Sequence, residues 1–85
     1  MKNINSVALF NRTDAQLLLT LEPWAEQFIV ESGKRLELKQ VGAGAGEPIE
    51  LEYTDDGIVV HSGGVVTVFQ DGVEIEPLKE WIDKL

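Results

Sequence analysis

The sequence predicts an antiparallel all-β domain, a sandwich or partly open barrel of about seven strands with a short C-terminal helix. Three observations predict it. Apolar and polar residues alternate at every second position along most of the chain. Turn chemistry recurs at spacings of roughly 8 to 12 residues, as Ser32-Gly33, Asp55-Asp56-Gly57, Ser62-Gly63-Gly64 and Gln70-Asp71-Gly72. No segment between these turns has room for the crossover of a dozen or so residues that joins parallel neighbours, so a parallel sheet is not expected.

Residues 1–15 read as a loosely held terminus in which the apolar run Val7 to Phe10 can pair as an edge strand. From Gln16 to Glu22, Leu17, Leu19 and Leu21 share one face while Leu18, Thr20 and Glu22 share the other. Pro23 lacks a backbone donor and ends that strand, and the chain turns a corner past Trp24. A second strand begins near Gln27, with Phe28 and Val30 opposite Ile29, and Ser32-Gly33 reads as a hairpin turn. Lys34 to Val41 places Leu36 and Leu38 inward and Arg35, Glu37 and Lys39 outward.

Gly42-Ala43-Gly44-Ala45-Gly46 offers no side chain large enough to anchor it, so 42–47 is expected to be a flexible loop. It lacks the Gly-Lys-Ser/Thr ending of a phosphate-binding loop. Pro48 to Thr54 sets Ile49, Leu51 and Tyr53 against Glu50 and Glu52, and Asp55-Asp56-Gly57 joins it as a hairpin to Ile58 to His61. That strand and Val65 to Gln70 are apolar on both faces and mark the centre of the fold. Gln70-Asp71-Gly72 turns into Val73 to Glu76, with Val73 and Ile75 inward. Pro77 ends the sheet, and residues 78–85 repeat apolar residues at helical spacing, with Trp81 in the apolar stripe.

The 85 residues make a single domain, and 44% apolar residues suit a globular core. No apolar run approaches the roughly 18 residues of a membrane span, nor the roughly 7 to 15 of a secretory signal. Fifteen acidic against seven basic side chains leave a net charge of −8, which argues against nucleic acid and membrane partners and suits a basic protein or plain solubility. The absence of cysteine removes disulfides and thiolate chemistry and fits a reducing, cytoplasmic setting. The triplet Asn11-Arg12-Thr13 matches a glycosylation acceptor, which has no meaning without a secretory route.

His61 is the only histidine, and it ends an apolar strand beside a glycine-rich turn where a base or ligand would reach solvent. The favoured reading is a strand-end residue bonded to backbone, since a catalytic histidine needs an orienting partner and a nucleophile. Ser62 adjoins it, but neighbours in a strand point to opposite faces, so a serine–histidine pair is poorly set. Glu50, Glu52, Glu74 and Glu76 fall on the wet side of their strands and keep edges from pairing. Asp55-Asp56 lacks the spacing of a calcium loop. Trp24, flanked by Glu22 and Glu26, is either a recognition anchor or a plug in one end of the core. No catalytic set, metal site or cofactor is implied.

The run Leu21-Glu22-Pro23-Trp24-Ala25-Glu26, the Ser32-Gly33 turn and Val66-Thr67-Val68-Phe69-Gln70-Asp71-Gly72 resemble a group of short, uncharacterised bacterial all-β proteins that share a Leu-Glu-Pro-Trp-x-Glu corner. The resemblance spans residues 17–76, rests on the Glu-Pro-Trp corner, implies a bacterial cytoplasmic β domain and carries over no catalytic residue.

The expected function is non-enzymatic: a small acidic domain that binds another protein, or itself as a homodimer, through an apolar sheet face or the Trp24 corner. The motive is the presence of Leu18, Ile29, Val59 and Val66 on faces opposite the interior. The alternative is a small-molecule or metal-binding, cupin-like barrel with His61, Tyr53 and Glu22 or Glu26 lining one pocket. A third option is an acidic, antitoxin-like inhibitor of a basic protein.

Overall fold

The computed structural model describes residues 5–42 and 48–83. Eight strands follow one another: β1 (Asn5–Phe10), β2 (Leu17–Glu22), β3 (Glu26–Val30), β4 (Arg35–Val41), β5 (Glu50–Tyr53), β6 (Gly57–His61), β7 (Val65–Gln70) and β8 (Val73–Glu74). They form two four-stranded sheets, ordered β1-β4-β7-β8 and β3-β2-β6-β5. The all-β expectation holds in this sandwich-like form, and the sheets do not close into a barrel.

The alternation read from the sequence explains the core. Leu36, Leu38, Val66 and Val68 of the first sheet face Leu19, Leu21, Phe28, Val30, Ile58 and Val60 of the second in one buried cluster. Val66 therefore points inward, contrary to its expected place on an outer face, because it shares the parity of buried Val68. Leu18 does lie opposite the core, yet it is only 5% exposed. As expected, β6 and β7 are interior strands, but each belongs to a different sheet.

Three turns are hairpins. The Pro23 corner pairs β2 with β3 in register Leu21↔Glu26; its Glu22–Pro23 peptide is cis and Ala25 has φ 57°. Thr54 to Asp56 joins β5 to β6, with the Thr54 amide donating to the Gly57 carbonyl at 2.9 Å. Asp71-Gly72, at φ 54° and 80°, joins β7 to β8 through two left-handed residues, as the Asp-Gly signal requires. The Ser32-Gly33 turn is real, with the Lys34 amide donating to Glu31, but it is not a hairpin. It carries the chain from β3 to β4 in the other sheet, because those strands bury their faces against each other.

Two further expectations are corrected. The sheets are not wholly antiparallel: β2 and β6 run parallel, in register from Leu18↔Gly57 to Glu22↔His61. The required crossover is supplied by strands, since residues 23–56 pass through β3, β4 and β5 before returning. The C-terminal helix does not form over 78–83, the part of 78–85 that is described. So short a segment gains few internal hydrogen bonds against the cost of nucleating a helix. The sheet offers partners instead: the Leu78 amide donates to the Gln27 carbonyl at 2.7 Å. The Gln27 side chain donates to the Ile82 carbonyl and accepts from the Ile82 amide, both at 2.6 Å.

The N-terminal run pairs as the edge strand foreseen for it, lengthened by Asn5 and Ser6, along β4. Apart from Gly42, the loop expected over 42–47 lies outside the described residues, with Pro48 beyond it. Among the described residues no helix is long and apolar enough to cross a membrane, which says nothing of a β-barrel.

Candidate functional site

The outer face of the second sheet carries the polar groups that the sequence singled out. In the parallel ladder Glu22 stands beside His61, and Glu50 stands beside His61 from the antiparallel partner. Glu52, one pleat along, reaches the His61 Nε2 with its Oε1 at 3.0 Å. Both side chains of that contact are well exposed, 44% and 62%, so water screens it and it adds little stability. A shallow depression of about 290 Å³ lies here, lined by Glu22, Pro23, Pro48, Glu50, His61, Ser62 and Gly63.

Chemically this is a wet imidazole among carboxylates. Among the described residues no three histidine, cysteine, aspartate or glutamate side chains are grouped so as to hold a metal ion. Ser62 is engaged elsewhere. Its hydroxyl donates to the Gly64 carbonyl at 2.9 Å and accepts from the Gln40 side-chain amide at 2.6 Å, so it is held by the turn that follows β6.

The other site candidates are dispersed. Glu26 pairs with Leu21 and therefore lies on the core face of β3, across the sheet from Glu22. Tyr53 is opposite Ile58, on the inner face and at the other end of the β5–β6 hairpin from His61. Trp24 sits in the β2–β3 turn, 42% exposed, and is not among the residues lining the His61 depression. The structure thus joins Glu22 to His61, and leaves Tyr53 and Glu26 apart from them.

Tyr53, 81% exposed, instead rims an apolar crevice of about 230 Å³ with Leu9, Phe10, Leu17, Leu19 and Ile58. Phe10 is itself 52% exposed, with the Arg12 guanidinium 4.9 Å above its ring. This end of the molecule was not foreseen, because it depends on which strands come to the sheet edges.

The four sheet edges differ. β3 is covered by the C-terminal tail through Leu78 and Gln27, β8 is two residues long, and β5 carries Glu50 and Glu52. β1 spans six residues, Asn-Ser-Val-Ala-Leu-Phe, without a charge. The Asn11 amide donates to the Lys34 carbonyl, which makes Asn11 and Lys34 a hydrogen-bonded pair. Alternation then turns the backbone groups of Ser6, Ala8 and Phe10 away from β4, toward the open edge.

Comparison with protein-family models, with curated proteins and with solved structures found no match for this chain.

Proposed function

We propose that this protein is a non-enzymatic assembly domain whose β1 edge pairs antiparallel with β1 of a second copy. A single observation carries the reading: β1 is a long edge strand with no charge, proline or glycine, in a chain of net charge −8. Native edges are usually blunted by charge, brevity or a covering segment, and the other three edges here are. An acidic chain meets its own copy at lower electrostatic cost where neither edge strand carries a carboxylate. Two-fold pairing would set Ser6, Ala8 and Phe10 of each copy across the junction and extend two four-stranded sheets into one of eight.

The Leu18 face supports an edge over a sheet face as the contact. Leu18 and Thr20 are already buried, and Thr20 and Val59 share a depression with Trp81 of the chain's own tail. A cytoplasmic setting belongs to the same proposal and rests on the resemblance of the Leu21 to Glu26 corner to bacterial proteins.

Sedimentation equilibrium tests it. The native chain should show a monomer–dimer equilibrium, and Ala8→Glu, which sets a carboxylate on the exposed side of β1, should remain monomeric, with a Tm that matches the native chain's at dilutions where both are monomers. A native chain that stays monomeric at millimolar concentration removes the proposal, as does a dimer indifferent to Ala8→Glu.

A further inference from the structure

We infer a second interaction surface on a different sheet: the free edge of β5 accepts an extended segment of a partner protein in which basic and apolar residues alternate. Among the described residues β5 pairs with β6 alone, and all four of its residues are exposed. Its hydrogen-bonding register follows from the turn. Thr54 donates to Gly57, so those two form a hydrogen-bonded pair, and alternation makes Glu52↔Val59 and Glu50↔His61 the next such pairs. The N–H and C=O groups of Leu51 and Tyr53 therefore point away from β6, as the template for an added strand.

Side chains set what that strand must be. Glu50 and Glu52 project from the outer face, where Glu22 and Asp56 add further carboxylate, and neither β5 nor β6 contains a lysine or arginine. Leu51 and Tyr53 project from the other face, and Tyr53 rims the apolar crevice beside Phe10 and Leu9. An incoming strand thus meets carboxylates at one parity and an apolar slot at the other. Lysine or arginine at every second position satisfies the first, and a leucine or phenylalanine between them enters the second.

The same two glutamates repel another copy of this acidic chain, which selects against self-pairing at this edge and for a basic partner. A nucleic acid or anionic membrane would meet the wrong charge here. The β5 backbone edge and its two glutamates belong to the other sheet from β1, so the charge selection here stands apart from the β1 pairing proposed above, while the apolar slot borrows Leu9 and Phe10 from the end of β1.

The test uses the intact protein and two synthetic peptides, acetyl-Gly-Lys-Val-Lys-Leu-Lys-Val-Gly-amide and its counterpart with glutamate replacing each lysine. Isothermal titration should show saturable binding of the basic peptide and none of the acidic one. The double variant Glu50→Gln with Glu52→Gln, which keeps shape and removes charge, should bind about tenfold more weakly. Hydrogen exchange should slow at the Leu51 and Tyr53 amides when the basic peptide is bound. Binding unaffected by the double variant, or protection that appears at β1 and not at β5, would overturn the inference by showing attraction to the net charge or use of the other edge. Failure of the basic peptide to bind overturns it outright, while leaving the oligomeric state to decide the β1 proposal separately.

Discussion

The substitution Gly57→Ala gives the sharpest check on how the two halves of the second sheet meet. Gly57 opposes Leu18 in the parallel ladder at φ 155°. A Cβ placed there would collide with the Leu18 carbonyl oxygen and lie 2.7 Å from its nitrogen and 2.8 Å from its carbonyl carbon. Ordinary contact begins near about 3.5 Å, so β2 and β6 would have to part by more than about 1 Å at a rigid backbone-to-backbone approach. The unfavourable φ costs roughly 1 to 3 kcal/mol and the overpacking a further ~1 to 3 kcal/mol. A chain of this length is stable by roughly 4 to 13 kcal/mol in total. Gly57→Ala should therefore lower Tm by more than about 10 °C. Gly33→Ala is the control, because Gly33 also has positive φ, 77°, but a Cβ there meets nothing within 4 Å. It should cost only about 1 kcal/mol. Urea unfolding followed by the fluorescence of Trp24 and Trp81 measures both. Equal losses for the two variants would refute the close approach and, with it, the parallel register.

Two side-chain predictions test the polar anchors. Asn11 is 1% exposed and uses its whole amide. It donates to the Ala15 and Val30 carbonyls at 2.8 and 2.9 Å and accepts from the Thr13 amide and hydroxyl at 3.0 and 2.7 Å. Asn11→Ala should cost about 2 to 4 kcal/mol by denaturant titration, since the buried Val30 carbonyl and the half-buried Ala15 carbonyl and Thr13 amide lose their partner together. Replacing Gln27 with leucine removes both bonds to Ile82 and should speed hydrogen exchange at the Ile82 amide at least tenfold, with a stability loss of about 1 to 3 kcal/mol. An unchanged exchange rate would mean that the tail is held by Leu78 and Trp81 alone.

Asn11 also shows how a sequence motif and a structural role coincide. The Asn-Arg-Thr triplet looks like a glycosylation acceptor, yet the asparagine is closed inside the loop between β1 and β2 and the threonine completes the same turn. The motif reflects local hydrogen bonding between short polar side chains and backbone. Gly57 is the converse case. Beside two aspartates it reads as a turn residue, but its necessity comes from Leu18, almost forty positions away.

The candidate site was legible in part. Glu22 and His61 each stand out in the sequence, but the parallel pairing that makes them neighbours does not, because the crossover between β2 and β6 is made of intervening strands rather than one linking segment. Tyr53 was grouped with His61 although they lie on opposite faces of one hairpin, and its role beside Phe10 depends on which strand ends lie together. The edge character of β1 was suggested by Val7 to Phe10. That it differs from the other three edges in carrying neither a charge nor, among the described residues, a covering segment required knowledge of the sheet order.

The amino-acid order by itself determined where chain reversals fall and, except in β7 with apolar residues on both faces, which side of the alternating strands seeks the core, because alternation and turn stereochemistry are local properties of neighbouring residues. It also determined the negative charge that constrains every partner. Only the tertiary structure decided which strands share a sheet, the parallel join of β2 and β6, and the capture of the tail by Gln27 in place of a helix. Those outcomes rest on contacts between residues far apart in the chain, whose energies outweigh the preference of any short segment considered alone.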